Sequence, residues 1–271
     1  NLRKRNSLLL HFKTLLMKLK RLPILLCLTF CISLATAQKP EKVKKVTEKV
    51  SFGTATYQVL KSDKITKHGI YKIMDYIYKQ PLVVGTYLYG EKNGVWKAWY
   101  AGTNHLKNEG TYKANKKVGI WKYYDYFGVL LHSYNHDTDT LIFSSACGTD
   151  TKYEVLVDGK SVWKTLDCPP AYLGGISNLN IDITNTYINS KKENTNAVGA
   201  IYADISILVK KDGTVGDLRA NEPLLNQDFR IILEDKINNT KGEWLPAELD
   251  GEKVDAYVVL KSVVSSYQTS D

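Results

Sequence analysis

The chain repeats itself every 25 residues. Lys67-His68-Gly69-Ile70-Tyr71-Lys72 returns as Lys92-Asn93-Gly94-Val95-Trp96-Lys97, and again as Lys117-Val118-Gly119-Ile120-Trp121-Lys122. The strand before each later copy repeats as well, Gly85-Thr86-Tyr87 coming back as Gly110-Thr111-Tyr112. A fixed period marks a repeat architecture, in which a unit buries its apolar face only by stacking on its neighbours. Each unit reads as a β-hairpin. Asn93-Gly94 supplies the residues that tolerate the positive φ of a two-residue turn. Beyond it side chains alternate, with Trp96, Ala98 and Tyr100 on one face and Val95, Lys97 and Trp99 on the other. The period therefore predicts one extended antiparallel meander. The 18 tyrosines, against 6 Phe and 2 Met, suit such a sheet, because the ring packs on one side and stays wet on the other.

These units resemble the bacterial variant of the MORN repeat, built on glycine, tyrosine and a Gly-x-Trp-x-x-Tyr pattern, over about residues 65–135. Tyr71 replaces the tryptophan in the first copy. The resemblance implies a scaffold that serves proteins of many roles. Its stacked aromatics hold the sheet together as cross-strand pairs, and glycan or a partner peptide are the ligands they would take.

The first 37 residues read as a leader. Met17-Lys18-Leu19-Lys20-Arg21 is a basic start, Leu22 to Leu34 an apolar run, and Ala35-Thr36-Ala37 a small-x-small cleavage signature before Gln38. Residues 1–16 read as an upstream extension. The apolar run is shorter than the ~20 residues of a membrane span. A periplasmic protein is the expectation, with an inner-membrane anchor as the alternative and membrane contact only if the leader is retained. The leader holds 7 of the 37 basic residues and no acid, which leaves 30 against 28 acidic and a net charge of +2. So balanced a chain has no electrostatic footprint for nucleic acid. Cleavage leaves Cys147 and Cys168, which either pair across a loop of about 20 residues or stay as thiols.

Val155 to Trp163 reads as one more hairpin around Asp158-Gly159, and Cys168-Pro169-Pro170 punctuates the chain. The expected layout is an upstream extension and signal peptide (1–37), a β-hairpin repeat domain (38–150), a connector (151–168) and a C-terminal domain (169–271). In that last part Ile176, Leu179 and Ile183 mark a helix face. Ile201 to Val209 alternates as a strand, Asp212-Gly213 turns it and Thr214 to Leu218 returns. Leu225, Phe229, Ile232, Leu233 and Ile237 form a second helix stripe, and Val254 to Val264 is the last strand.

This order resembles the C-terminal domain of TonB-family proteins over about residues 169–265. The residues that carry it are Pro170-Ala171-Tyr172-Leu173-Gly174-Gly175, Gly199-Ala200-Ile201-Tyr202, Lys211-Asp212-Gly213-Thr214-Val215, Trp244-Leu245-Pro246-Ala247 and Gly251-Glu252-Lys253-Val254. The resemblance implies a three-stranded antiparallel sheet with two helices. It also implies β-strand addition, in which a peptide of an outer-membrane receptor or another envelope protein joins the sheet edge beside the last strand. That edge would run along the backbone of Asp255, Tyr257, Val259, Lys261 and Val263. Val254, Ala256, Val258 and Leu260 face the core, and Trp244 and Pro246 fix a helix-to-strand corner. The chain departs from the family's energy transducers. Its apolar run has no His, it has no Pro-rich spacer, and Ile188 stands where a proline often follows Tyr187.

No catalytic set emerges. His132 and His136, with Asp137 and Asp139, have the spacing of helical metal ligands, but the surrounding turn residues read as a solvated loop. Ser144 and Ser145 lack a nucleophile elbow, and there is no phosphate loop or zinc-peptidase helix. No metal and no cofactor is expected. The expected fold class is α+β, an N-terminal MORN-like β-hairpin array followed by a small TonB-like domain. The expected function is non-enzymatic partner binding, linked to transmembrane transport. The alternative is a structural envelope scaffold whose repeats bind glycan or a protein, with the C-terminal domain making a homodimer.

Overall fold

A computed structural model describes residues 40–190, 200–220, 227–240 and 242–266. The leader and its cleavage signature, Gly199 and Leu225 lie outside the described residues. No helix among the described residues is long and apolar enough to cross a membrane. Val43–Asp271 forms one compact unit.

The 25-residue period becomes a single nine-stranded antiparallel sheet. Its strands are β1 (Val43–Val50), β2 (Gly53–Leu60), β3 (Lys67–Asp75), β4 (Pro81–Leu88), β5 (Glu91–Trp99), β6 (Leu106–Lys113), β7 (Lys116–Tyr124), β8 (Leu130–Asn135) and β9 (Thr140–Ser144), ordered in space as in sequence. The turn expected at Asn93-Gly94 is elsewhere. Tyr89 and Gly90 carry the positive φ angles between β4 and β5, and Ala114 and Asn115 those between β6 and β7. Asn93 and Gly94 lie inside β5. Gly94 has φ +76° where the β4–β5 register slips between Thr86↔Asn93 and Val84↔Lys97. Gly119 does the same in β7, and Gly69 in β3. The repeated glycine is thus a bulge glycine, which twists the strand rather than reversing it.

The repeated Gly85 and Gly110 have a different cause. Trp96 lies flat on Gly85, where a Cβ would come 2.1 Å from the indole, and Trp121 covers Gly110 at 2.2 Å. Each indole then donates Nε1–H to the next carbonyl, Thr86 O or Thr111 O, at 3.1 Å. Glycine on one strand and tryptophan on the next are therefore one packing unit. Trp96 stacks edge to face with Tyr87 and Tyr112, and Tyr112 with Trp121.

The second sheet runs β11-β10-β17-β13-β14, from β10 (Lys152–Val157), β11 (Lys160–Thr165), β13 (Ala200–Val209), β14 (Val215–Ala220) and β17 (Glu252–Ser266). The short β16 (Ala247–Leu249) also pairs with β17, and β12 (Ala171–Tyr172) pairs with β15 (Trp244–Leu245). This sheet is wider than the three strands expected, because the β10–β11 hairpin joins it through Val155↔Ala256 and Leu156↔Asp255. Two helices, α1 (Ile176–Ser190) and α2 (Gln227–Asn238), cover one face. Leu179, Ile183 and Tyr187 of α1 meet Phe229, Leu233 and Ile237 of α2 over Ile205, Ile207, Val258 and Leu260, all of them buried. Leu173 and Leu245 of this half insert instead among Trp121, Tyr123 and Tyr134 of the first sheet. A disulfide joins Cys147 to Cys168 and closes the base of the β10–β11 hairpin.

His132 corrects the solvated-loop expectation. It lies in β8, 5% exposed, with Nδ1 buried and unpartnered, and desolvation lowers its pKa to about 4. His136 follows the strand, its Nε2 3.2 Å from the Tyr123 hydroxyl. No group of three or more potential metal ligands occurs among the described residues.

Candidate functional site: an open length of β17

Backbone polarity along β17 follows from the neighbouring hairpin. Asp158 and Gly159 both take positive φ, the signature of a two-residue type I′ turn. Val157 and Lys160 close that turn, so theirs is the hydrogen-bonded pair. Alternation then turns the backbones of Tyr153, Val155 and Val157 toward β11, and those of Lys152, Glu154 and Leu156 toward β17. Leu156 faces Asp255. By the same alternation Tyr257 and Val259 present their N–H and C=O to the β10 side, while Ala256, Val258 and Leu260 serve β13.

β10 does not follow β17 along this side. Pairing stops at Val155↔Ala256, and the strands then part. Between them lies a wedge of about 840 Å³. Tyr257 to Lys261 form its floor, Lys152 to Glu154 one wall, and Ile176, Ser177, Asn180 and Ile181 of α1 the other. Two large apolar side chains stand exposed at its rim, Trp163 at 66% and Ile181 at 54%. Asn180 Nδ2 donates to the Lys261 carbonyl at 2.8 Å and marks the far end. Beneath the near end Arg219 lies 4.1 Å over the ring of Tyr257 and pairs with Glu154 at 3.0 Å. Burial raises the Tyr257 pKa, so the phenol stays neutral at ordinary pH.

The expected edge divides into parts. Asp255 is not available, because its backbone faces Leu156 and its Oδ1 accepts from Lys211 N–H at 2.7 Å. Tyr257 and Val259 lie on the open side. Lys261 is exposed at the end of the wedge, its carbonyl already held by Asn180. Val263 is out of phase. The β13–β17 register slips by one between Ile205↔Leu260 and Ala203↔Val263, which turns the Val263 backbone toward β13. The open length is therefore Tyr257 to Lys261, inside the sheet rather than at its outer edge. The second rim of the wedge, Lys152 and Glu154, has no local sequence signal, since its pairing with β17 spans about 100 residues. Exposed Trp163 was the available hint.

No family model, characterised protein or solved structure matches the chain.

Proposed function

We propose that the protein is a non-enzymatic binding module of the cell envelope that takes up an extended peptide segment along β17, in the manner of a TonB-like domain. One observation carries this reading. Over Tyr257–Lys261 the strand has a backbone rim that no other described strand pairs, at the floor of a wedge with room for a chain. Unpaired strand N–H and C=O groups bind another strand through its backbone, and side-chain pockets supply the specificity. Trp163 and Ile181 flank the rim where alternate side chains of an added strand would fall. An outer-membrane receptor segment is the partner this reading favours.

Val259→Pro tests it in the full chain. Proline removes an N–H that faces the wedge and spares the bonds to β13. The variant is expected to keep its far-UV spectrum and lose capture of receptor N-terminal peptides. If the folded variant still captures them as the parent chain does, strand addition at β17 is wrong. The fragment 169–271 is a poor substitute, because it lacks the β10 wall.

A further inference from the structure

The hexapeptide repeat places a lysine at the same point of every unit. Lys67 Nζ lies 4.9, 5.2 and 5.4 Å from the ring centres of Tyr57, Tyr71 and Tyr87. Lys92 lies 4.8 Å over Trp96 and 4.9 Å from Tyr112. Lys117 lies 5.0 Å over Trp121 and 5.5 Å from Tyr123. The three cations form a ladder on one aromatic face, carried by β3, β5 and β7.

Among the described residues, only the lysine of the last rung has a carboxylate within ion-pair distance. Glu243, next to β15 in the C-terminal half, brings Oε1 to 2.6 Å from Lys117 Nζ, and Leu245 packs against Trp121 beside it. Among the described residues Lys67 and Lys92 have no carboxylate within ion-pair distance. At the first rung the Glu48 carboxylate accepts from the Tyr57 hydroxyl at 3.1 Å. Lys92 is partly desolvated and flanked by the other two cations, both of which lower its pKa. A carboxylate beside it would relieve that repulsion, as Glu243 does at the third rung.

The spacing restricts what can bridge the two open rungs. Alternate strands of a sheet lie about 9.5 Å apart. Three residues of polyproline II advance about 9.3 Å and return a side chain to the same face. Rows of aromatic rings are also the surface on which such helices dock. None of the undescribed segments of this chain holds two acids three apart, and residues 1–40 hold no acid at all.

We propose that Lys67 and Lys92, with the rings beneath them, bind an acidic segment of a partner protein in polyproline II conformation, with carboxylates at every third residue. The ladder is separate from the β17 wedge and does not depend on its function.

The test is fluorescence anisotropy with the full chain and a labelled peptide of four Glu-Pro-Ser repeats, at low salt. Saturable binding is expected, weakening as salt rises. A Gln-Pro-Ser peptide, and a peptide of the same composition with glutamates two apart, should each bind at least about tenfold more weakly. The Lys67→Gln/Lys92→Gln double variant should lose a similar factor, the Lys67→Arg/Lys92→Arg variant should retain binding, and Lys164→Gln on β11 should change nothing. Unchanged circular dichroism would show that each variant is folded. Absence of saturable binding, indifference to glutamate spacing, or an unaffected double Gln variant would each overturn the proposal. So would Lys67- and Lys92-dependent binding of an oligogalacturonate with no binding of the peptide, which would assign the ladder to acidic glycans.

Discussion

The two sheets of this protein are built on opposite principles. In the nine-stranded sheet every strand pairs with its neighbour in sequence, and Trp96, Trp121, Tyr123 and Tyr134 form its buried aromatic cluster. What sets the fit there is absence of bulk, since Gly85 and Gly110 exist to receive Trp96 and Trp121. In the second sheet, strands far apart in sequence pair, and two helices close a filled core. What sets the fit there is bulk itself, in Phe229, Tyr187 and Ile207, each fully buried. A repeat scaffold is thus specified by small residues at regular intervals, and a packed module by large ones at irregular intervals.

The largest expected effect tests that contrast directly. Phe229→Ala opens a cavity between α1, α2 and β13, and should cost about 3–5 kcal/mol. Gly110→Ala drives a methyl into Trp121 and should cost about 1–3 kcal/mol, because an open-sided sheet can let the ring tilt. Urea unfolding, followed by tryptophan fluorescence and circular dichroism, measures both. Equal costs would mean that the aromatic cluster behaves as a full core, and the contrast would fail.

The same contrast explains what the sequence could show. Repeats, hairpins, the α1 stripe and the Asp158-Gly159 turn rest on contacts between near neighbours, and they were legible. The three lysines stand in the sequence as the first residue of each hexapeptide, but their alignment over the rings follows from the strand register, which the turn expected at Asn93-Gly94 misplaced. The turn at Tyr89-Gly90 was not legible, because Asn93-Gly94 is the stronger turn dipeptide and its glycine is used for a bulge. The placement of β10 against β17 was not, because no local pattern encodes a pairing between Val155 and Ala256. Val263 was misphased for a similar reason. A one-residue slip against β13 reverses the alternation, and nothing in Ser262-Val263-Val264 announces it. Of the candidate site, the strand was readable and the wedge that opens it was not.

His132 provides the next test, since the scaffold buries an imidazole there, whereas the sequence holds no histidine beyond His136. Its pKa is held near 4 in the folded chain, below the unfolded value of 6.5, because burial disfavours the charged ring. A depressed folded pKa means that the unfolded state takes up the proton first as pH falls. The stability is thus whole above about pH 6.5 and drains away between there and pH 4. The loss is about 2–3 kcal/mol at the lower end. His136 is shifted in the same direction by burial, so part of the drop will persist without His132. His132→Leu also removes an unpartnered buried nitrogen, and should flatten the stability profile over that window with little cost at pH 7.5. Urea midpoints measured from pH 7.5 to 4 decide it. A variant with the parent's full acid loss would show that His132 does not set the response.

The smallest effect is expected where the two sheets meet. Lys117 and Glu243 are joined at 2.6 Å, with the Tyr172 hydroxyl donating to the other oxygen of Glu243 at 3.0 Å. Their side chains keep 21% and 30% of their exposure, so water screens the pair. A double-mutant cycle with Lys117→Gln and Glu243→Gln should give a coupling of about 0.5–1 kcal/mol, falling as salt rises. Leu245→Ala, which withdraws a buried side chain from the rings of Trp121 and its neighbours, should cost about 2–3 kcal/mol. If the junction is mainly apolar, the leucine outweighs the ion pair, and the two sheets unfold together in the parent chain but separately in Leu245→Ala. A coupling above about 2 kcal/mol, or an ion pair that matters more than Leu245, would reverse that ordering. The C-terminal half would then be held to the repeats by charge, and Glu243 would be a ligand of the ladder more than a part of the core.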